Sequence, residues 1–299
     1  MVAIVESSCR EIAGRKDYCA HGFSSRNGGF SVMVSQMKAY RRAAVASTFS
    51  PTHLAVLTEA DAFVRAVGSG LDVLHAAERT DEKQKRFDES FAALKNTPKV
   101  HWIPGNNPVD SLLQAAKTNS HDLLIAGALE REPGEDARAF TGSVARRLLG
   151  ESPCDILLLP RPIEGSPTIE NAFFAVEPGQ DIAPFVLEAA QTLGLQKVTL
   201  AVAETPFAAA IASSRGETPI DARRWAEEIT ESIEKSGVAV EALHIGSNTG
   251  FGLCDAVQGF GADLMIIRAT RAHGRIILPT HLDWLRQVIP TRLLVCCGE

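Results

Sequence analysis

What is missing from this 299-residue chain bounds it first. No stretch approaches the roughly 18 consecutive apolar residues that a membrane span needs. The amino terminus also lacks the charged-then-apolar layout of a secretory signal. A cytoplasmic protein with no membrane partner is the expectation. No C-x-x-C pair occurs among Cys9, Cys19, Cys154, Cys254, Cys296 and Cys297. No His/Cys cluster has zinc spacing either, so no metal ligand is nominated and the thiols read as reduced packing residues. Positive charge is not in surplus: 30 Lys and Arg stand against 36 Asp and Glu, a formal net of −6. A globally attractive surface for nucleic acid is thereby excluded. There is no G-x-S-x-G elbow, no G-x-x-x-x-G-K-[ST] loop and no H-E-x-x-H, and His53, His75, His244 and His281 show no paired spacing. Enzymatic turnover is disfavoured, and no catalytic residue is nominated.

What is present describes a globular α/β protein. Hydrophobic residues make up 45% and charged residues 22%, enough for real cores in a chain long enough for two domains. Residues 1–40 mix Gly, Ser and charge without a sustained period and read as a poorly packed extension, with Met33 or Met37 as the expected translation start. From Arg41 the pattern turns regular. Short apolar runs (Ala43–Ser47, Leu71–Ala77, Lys99–Ile103) alternate with helical periodicities (Leu54–Val67, Thr80–Lys95, Val109–Thr118). Such alternation, with no tight hairpin signal, gives βαβ units and a parallel sheet.

The stretch His121–Pro160 carries most of the information. Leu123, Leu124 and Ile125 form a run too short for a helix, ended by Gly127, as in a strand covered on both faces. A polar loop, a Gly142-Ser143 helix start, a Pro153-Cys154 turn and a second apolar strand follow. Residues 163–169 are a Pro/Gly-containing linker. The same order of elements then recurs over 170–299: strands at Ala172–Val176, Lys197–Ala203, Val238–His244, Asp263–Ile267 and Thr291–Cys297, with helices at Ile182–Leu193, Asp221–Lys235, Leu253–Phe260 and His281–Val288. Asp122-Leu-Leu-Ile matches Asp263-Leu-Met-Ile, and the segment at Pro153 matches that at Pro290. The period is one of domain duplication. Gly127 falls opposite Arg268, however, and Gly142-Ser143 opposite Pro279-Thr280.

The tripeptide Phe49-Ser50-Pro51, the run DLLIAGA at Asp122–Ala128 and the segment GSVARRLLGESPCDILLLP at Gly142–Pro160 resemble the universal stress protein family. The resemblance is close over 41–162 and chiefly one of element order over 170–299. It implies two tandem five-stranded parallel sheets, each of order 3-2-1-4-5 with helices on both faces, in the adenine nucleotide alpha hydrolase-like fold. The final strands Asp155–Leu159 and Leu293–Cys297 are expected to join the halves as a pseudo-dimer. A homodimer and a protein partner are further expectations.

The resemblance also implies a stress-response role and, in some members, ATP held with magnesium by a G-x-x-G loop followed by Gly-Ser. Glycines let the backbone approach phosphate, and helix-terminal amides point at it. Carried over residue by residue, the nucleotide-binding candidates are Thr48, Phe49, Gly127, Gly142, Ser143 and Val144, with Ser143 also a candidate N-cap. Glu130 stands at the second glycine position, and Thr48 stands where the family has an aspartate; Glu177 occupies that place in the second half. The first loop is acidic, with Glu130, Glu132, Glu135 and Asp136 against Arg131 and Arg138. The corresponding second loop offers Arg268, Arg271 and Arg275 as anion or partner contacts. Two readings stay open: a weak or vestigial ATP site in the first half, and a nucleotide-independent interaction module using the second.

Overall fold

The computed structural model describes residues 39–128, 141–162, 168–203, 214, 216, 218, 220–246 and 250–298. The N-terminal extension up to 38, the acidic loop at 129–140 and most of the linker lie outside the described residues. The rest belongs to a single compact unit, Val34–Glu299. In the first half, β1 (Arg42–Ala46), α1 (His53–Ala66), β2 (Gly70–His75), α2 (Asp81–Phe91), β3 (Lys99–Trp102), α3 (Pro108–Thr118), β4 (Leu123–Gly127), α4 (Ser143–Glu151) and β5 (Asp155–Leu159) alternate regularly. In the second, β6 (Ala172–Val176), α5 (Ala183–Leu193), β7 (Lys197–Ala203), α6 (Ala222–Glu234), β8 (Ala239–Ile245), α7 (Gly250–Gly259) and β9 (Leu264–Ala272) lead to β10 (Arg275–Ile277), a 3-10 helix (Thr280–Arg286) and β11 (Arg292–Cys297).

The helix starts follow from local chemistry. The Thr80 hydroxyl accepts from Lys83 N–H, the Asn107 side chain from Val109 and Asp110 N–H ahead of Pro108, and the Asp221 carboxylate from Arg223 and Arg224 N–H. Each satisfies amides that a helix leaves orphaned at its first turn. Two aspartates do comparable work for the sheet. Asp122, just before β4, accepts from Arg41 N–H at 2.7 Å and Arg42 N–H at 3.1 Å, and Asp263, just before β9, accepts from Asn171 N–H at 2.9 Å. The repeated Asp-Leu-x-Ile of the sequence is thus a repeated anchor for the first strand of each half.

Within each half the strand order is the one expected, with β10 an addition, but the sheets are not separate. The strands form one sheet ordered β3-β2-β1-β4-β5-β11-β9-β6-β7-β8, with β10 off this path against β9. All neighbours are parallel except β10 with β9 and the junction of β5 with β11. The junction pairs Leu293 with Leu158, Leu294 with Leu157 and Val295 with Ile156, all essentially without solvent access. An apolar final strand with no partner would be a pairing liability, and mutual coverage removes it. Alternation then feeds two cores: Leu123, Ile125, Leu157, Phe174 and Leu294 face one layer of helices, and Leu124, Ile156, Leu158, Met265 and Leu293 the other. Burial of each such side chain is worth about 1.5–3 kcal/mol.

The second half departs from the expected elements in two places. Where a loop was expected after Ile267, β9 runs on to Ala272 and turns back as β10. The turn residues His273 and Gly274 both have positive φ, 51° and 73°, as a two-residue type I′ hairpin requires. The segment expected as the helix His281–Val288 is the 3-10 helix Thr280–Arg286. No helix among the described residues is long and apolar enough to cross a membrane.

A charged group sits in the junction. The Asp155 carboxylate accepts from Tyr40 O–H at 2.9 Å and from Cys297 N–H at 2.8 Å. Burial outweighs both bonds and pushes the carboxyl from 3.8 up to about 6. Since the folded site disfavours the charged form, the cost is absent below pH 3.8, grows until about 6 and is full above that. It amounts to about 3 kcal/mol. Denaturant melts of wild type and Asp155→Asn should therefore diverge by roughly that amount in favour of Asn between pH 4 and 7.5; a difference that is independent of pH would contradict the assignment.

Candidate functional site

Parallel strands bring their carboxyl ends to one edge, where ligands of α/β proteins bind. In the first half this edge holds Ser47 after β1, His75 at the end of β2, Trp102 at the end of β3 and Gly127 at the end of β4. Gly142 N–H donates to Ala128 O at 2.9 Å, so the start of α4 lies beside the end of β4. A Cβ on Gly127 would lie 3.3 Å from Val56 Cγ2, tight for this approach of β4 to α1. Gly142, not Ser143, is the N-cap: its backbone is extended (φ −63°, ψ 160°) and no side chain caps the helix. Ser143 opens the helix instead. Ser143 and Val144 are exposed, and the positive end of the α4 dipole lies there.

The other flank of this edge is filled from within. Thr48 is exposed and Phe49 half-buried. The Phe49 ring centroid lies 5.0 Å from His53, 5.0 Å from His75 and 4.7 Å from Phe87, while Arg86 Cζ sits 4.0 Å above the ring. Trp102 closes the set against His75 and Phe87. A guanidinium over an aromatic face is attractive by about 0.5–2 kcal/mol, and it covers the face on which a flat base would stack.

The two imidazoles have assignable protons. Ser90 O–H donates to Arg86 O at 2.8 Å, so Ser90 Oγ accepts from His53 Nε2–H at 3.1 Å, leaving His53 Nδ1 to accept from Ser47 O–H at 2.9 Å. His75 Nδ1–H donates to the Ser47 carbonyl at 2.9 Å. Burial first, and Arg86 in addition, lower both histidines below their ordinary value, so both are neutral at pH 7. The Ser47–His53 pair has the look of a nucleophile and its base. Ser47 is only 5% exposed, however, and no carboxylate orients His53. The pair packs the edge. Three of the described thiols are equally unavailable, because burial pushes Cys154 and Cys297 up to about 12 and Cys296 well above its ordinary value.

The same edge of the second half is occupied by its own side chains. Glu177 Oε1 lies 2.5 Å from His281 Nδ1, and the imidazole at that distance holds the Glu177 carboxyl below the usual range. Arg268 Nη1 donates to Asp181 O at 3.3 Å. Arg271 turns toward the first half, donating through Nη1 to Ser152 O and through Nη2 to Cys154 O at 3.5 Å. Of the three nominated arginines, Arg275 on β10 is exposed. Reciprocally, Thr141 of the first half donates its N–H to Gln287 O at 2.8 Å and its hydroxyl to Leu285 O at 3.4 Å. A cavity of about 250 Å³ lined by Glu59, Phe63, Leu157, Ile169 and Arg292 lies elsewhere and includes none of the nominated residues.

The structure therefore gathers Gly127, Gly142, Ser143 and Val144 at one place and puts Thr48 and Phe49 on the same edge. It disperses the arginines. The acidic residues of the first loop fall outside the described residues. The aromatic and histidine set was missed as a unit: His75 at a strand end and Phe87 on a helix face are each visible in sequence, but not that they meet. For Arg271, replacement by Ala is expected to cost about 1.5–3 kcal/mol of stability, read by denaturant unfolding, with affinity for phosphate unchanged. Weakened phosphate binding with unchanged stability would restore Arg271 as an anion contact.

No protein-family model matches the chain, and no curated protein matches its sequence. Solved structures do match. A universal stress protein from Archaeoglobus fulgidus DSM 4304 is 13% identical, with 86% of this chain and 98% of that one covered at a TM-score of 0.61. A Pseudomonas aeruginosa UCBPP-PA14 protein assigned to the universal stress proteins is 14% identical over 87% and 94%, at 0.60. A protein of unknown function from Pseudomonas aeruginosa PAO1 is 15% identical over 87% and 93%, at 0.60. Across nearly its whole described length, the fold of this chain is that of universal stress proteins.

Proposed function

We propose that this chain is a tandem universal-stress-type protein with a stress-response role, in which the first half keeps a weak mononucleotide site and the second serves as its structural counterpart. The observation that carries this reading is the pairing of Gly142 N–H with Ala128 O, which sets the uncapped start of α4 beside the end of β4. Backbone amides at such a start suit a phosphate. Gly142 brings no side chain to this start, and Ser143 adds a hydroxyl on the exposed side. The base side fits less well, because Arg86 covers Phe49 and must swing aside or itself stack on the base. That supports weak binding of ATP with magnesium over a full site. The second half supports a structural role, since its equivalent positions are taken by Glu177, His281 and Arg268. The absence of an accessible nucleophile with an oriented base among the described residues favours a binding function over turnover. Within this reading the halves act as the two members of a pseudo-dimer, and no second chain is needed to cover β5 or β11.

Isothermal titration of the purified chain with ATP and magnesium tests the site. Gly142→Asp is the informative variant: aspartate is a good N-cap and tolerates the extended backbone there, so the helix survives while a negative charge meets the phosphate. Binding at micromolar or weaker affinity that disappears in Gly142→Asp and weakens in Ser143→Ala is expected. Binding that survives both, or none at millimolar ATP, sinks the assignment.

A further inference from the structure

On the α3-facing side of the first-half sheet, three side chains converge from separate elements. Asp72 is on β2, His101 on β3 and His121 in the turn between α3 and β4. Asp72 and His101 point to the same face of the sheet, since each alternates with a valine, Val73 or Val100, that belongs to the other face. Asp72 Oδ2 lies 3.0 Å from His121 Nε2 and 3.2 Å from His101 Nε2. The three ligand atoms are all within 4.8 Å of one another.

Two features of this cluster ask for a cation rather than for hydrogen bonds alone. First, His101 Nε2 is buried and close to Asp72 Oδ2, yet its direction makes no hydrogen bond. A buried ring nitrogen beside a carboxylate oxygen, without a hydrogen bond of its own, is available as a ligand. Metal bonds of about 2.0–2.1 Å in a tetrahedral site put neighbouring ligand atoms roughly 3.3 Å apart, close to the two distances from Asp72. Second, the cluster sits at the carbonyl end of α3, whose dipole is negative there. The Asn119 carbonyl at this end already takes one cation, accepting from Arg42 Nη1 at 2.7 Å.

We propose that Asp72, His101 and His121 form a binding site for one divalent transition-metal ion of the zinc type. Two imidazoles and a single carboxylate, without thiolate, suit zinc and its neighbours and not the oxygen-ligated magnesium or calcium. Three protein ligands leave a fourth position open. Arg42 is the competitor: its Nη2 lies 3.0 Å from the same Oδ2. Its side chain is 48% exposed, so it is free to move outward when an ion enters. This site is independent of the nucleotide reading.

The test uses the full chain, stripped with chelator and titrated with Zn²⁺ alone by calorimetry, then with Co²⁺ by absorbance. One equivalent of Zn²⁺ should bind and raise the melting temperature. The Co²⁺ spectrum should show d–d bands without a thiolate charge-transfer band, which separates this site from the cysteines. His101→Gln should weaken binding by about tenfold or more. His121 is fully buried and its variants are liable to misfold, so Arg42→Gln at the exposed rim is the second arm, and it should tighten binding by removing the competing charge. No binding, a thiolate band at one equivalent, or affinity indifferent to both His101→Gln and Arg42→Gln would each overturn the proposal.

Discussion

The antiparallel pairing of β5 with β11 is the constraint on which the rest of the structure depends. Each half ends in an apolar strand that needs a partner on its outer side, and the strand best matched to it in length and character is the last strand of the other half. Because the two run in opposite directions, residues entering one final strand lie beside the carboxyl-end loops of the other half. That is why Thr141 reaches Leu285 and Gln287 just ahead of β11, and why Arg271 reaches Ser152 and Cys154 just ahead of β5. Each half thus sends one polar contact across to the segment that leads into the other's final strand. The buried Asp155, held by Tyr40 from the start of the first half and by the Cys297 amide from the end of the second, ties the extremes of the chain into the same seam.

The duplication explains how the halves diverged. Where the first half has glycines at the end of β4 and before α4, the second has Arg268 and the Pro279-Thr280 start of a 3-10 helix. A strand end without glycine extends readily, and β9 does so, folding back on itself at His273-Gly274. The acid at the end of β6, Glu177, faces an imidazole. The space at that edge is thus taken by side chains of the half itself.

Much of this was legible in the residues. Apolar runs of four or five bounded by Gly127, Pro153 or Asp263 mark buried parallel strands, and the recurrence of Asp-Leu-x-Ile marks the duplication, because both follow from local rules of burial and turn formation. That the two final strands meet was read from their apolar character; that they pair as an antiparallel ladder and so make one continuous sheet was not, since a sheet's extent depends on which edges hydrogen-bond in space. The hairpin was hidden because His-Gly is an uncommon pair for a turn needing two positive φ values, and the arginines around it read as a solvated loop. The Phe49, His53, His75, Phe87 and Trp102 set draws on five elements, and Asp72, His101 and His121 on three. No short spacing betrays either; only strand register brings them together.

The direction of β11 has one more consequence. The carboxyl edge of the first half and that of the second lie on opposite borders of the common sheet, separated by the length of a strand, about 16 Å for five residues. A single small molecule cannot bridge the two borders, so linking two ligand heads by a short tether would give no gain in effective concentration. Contacts made at one border therefore do not exclude contacts made at the other, because they lie on opposite sides of the sheet.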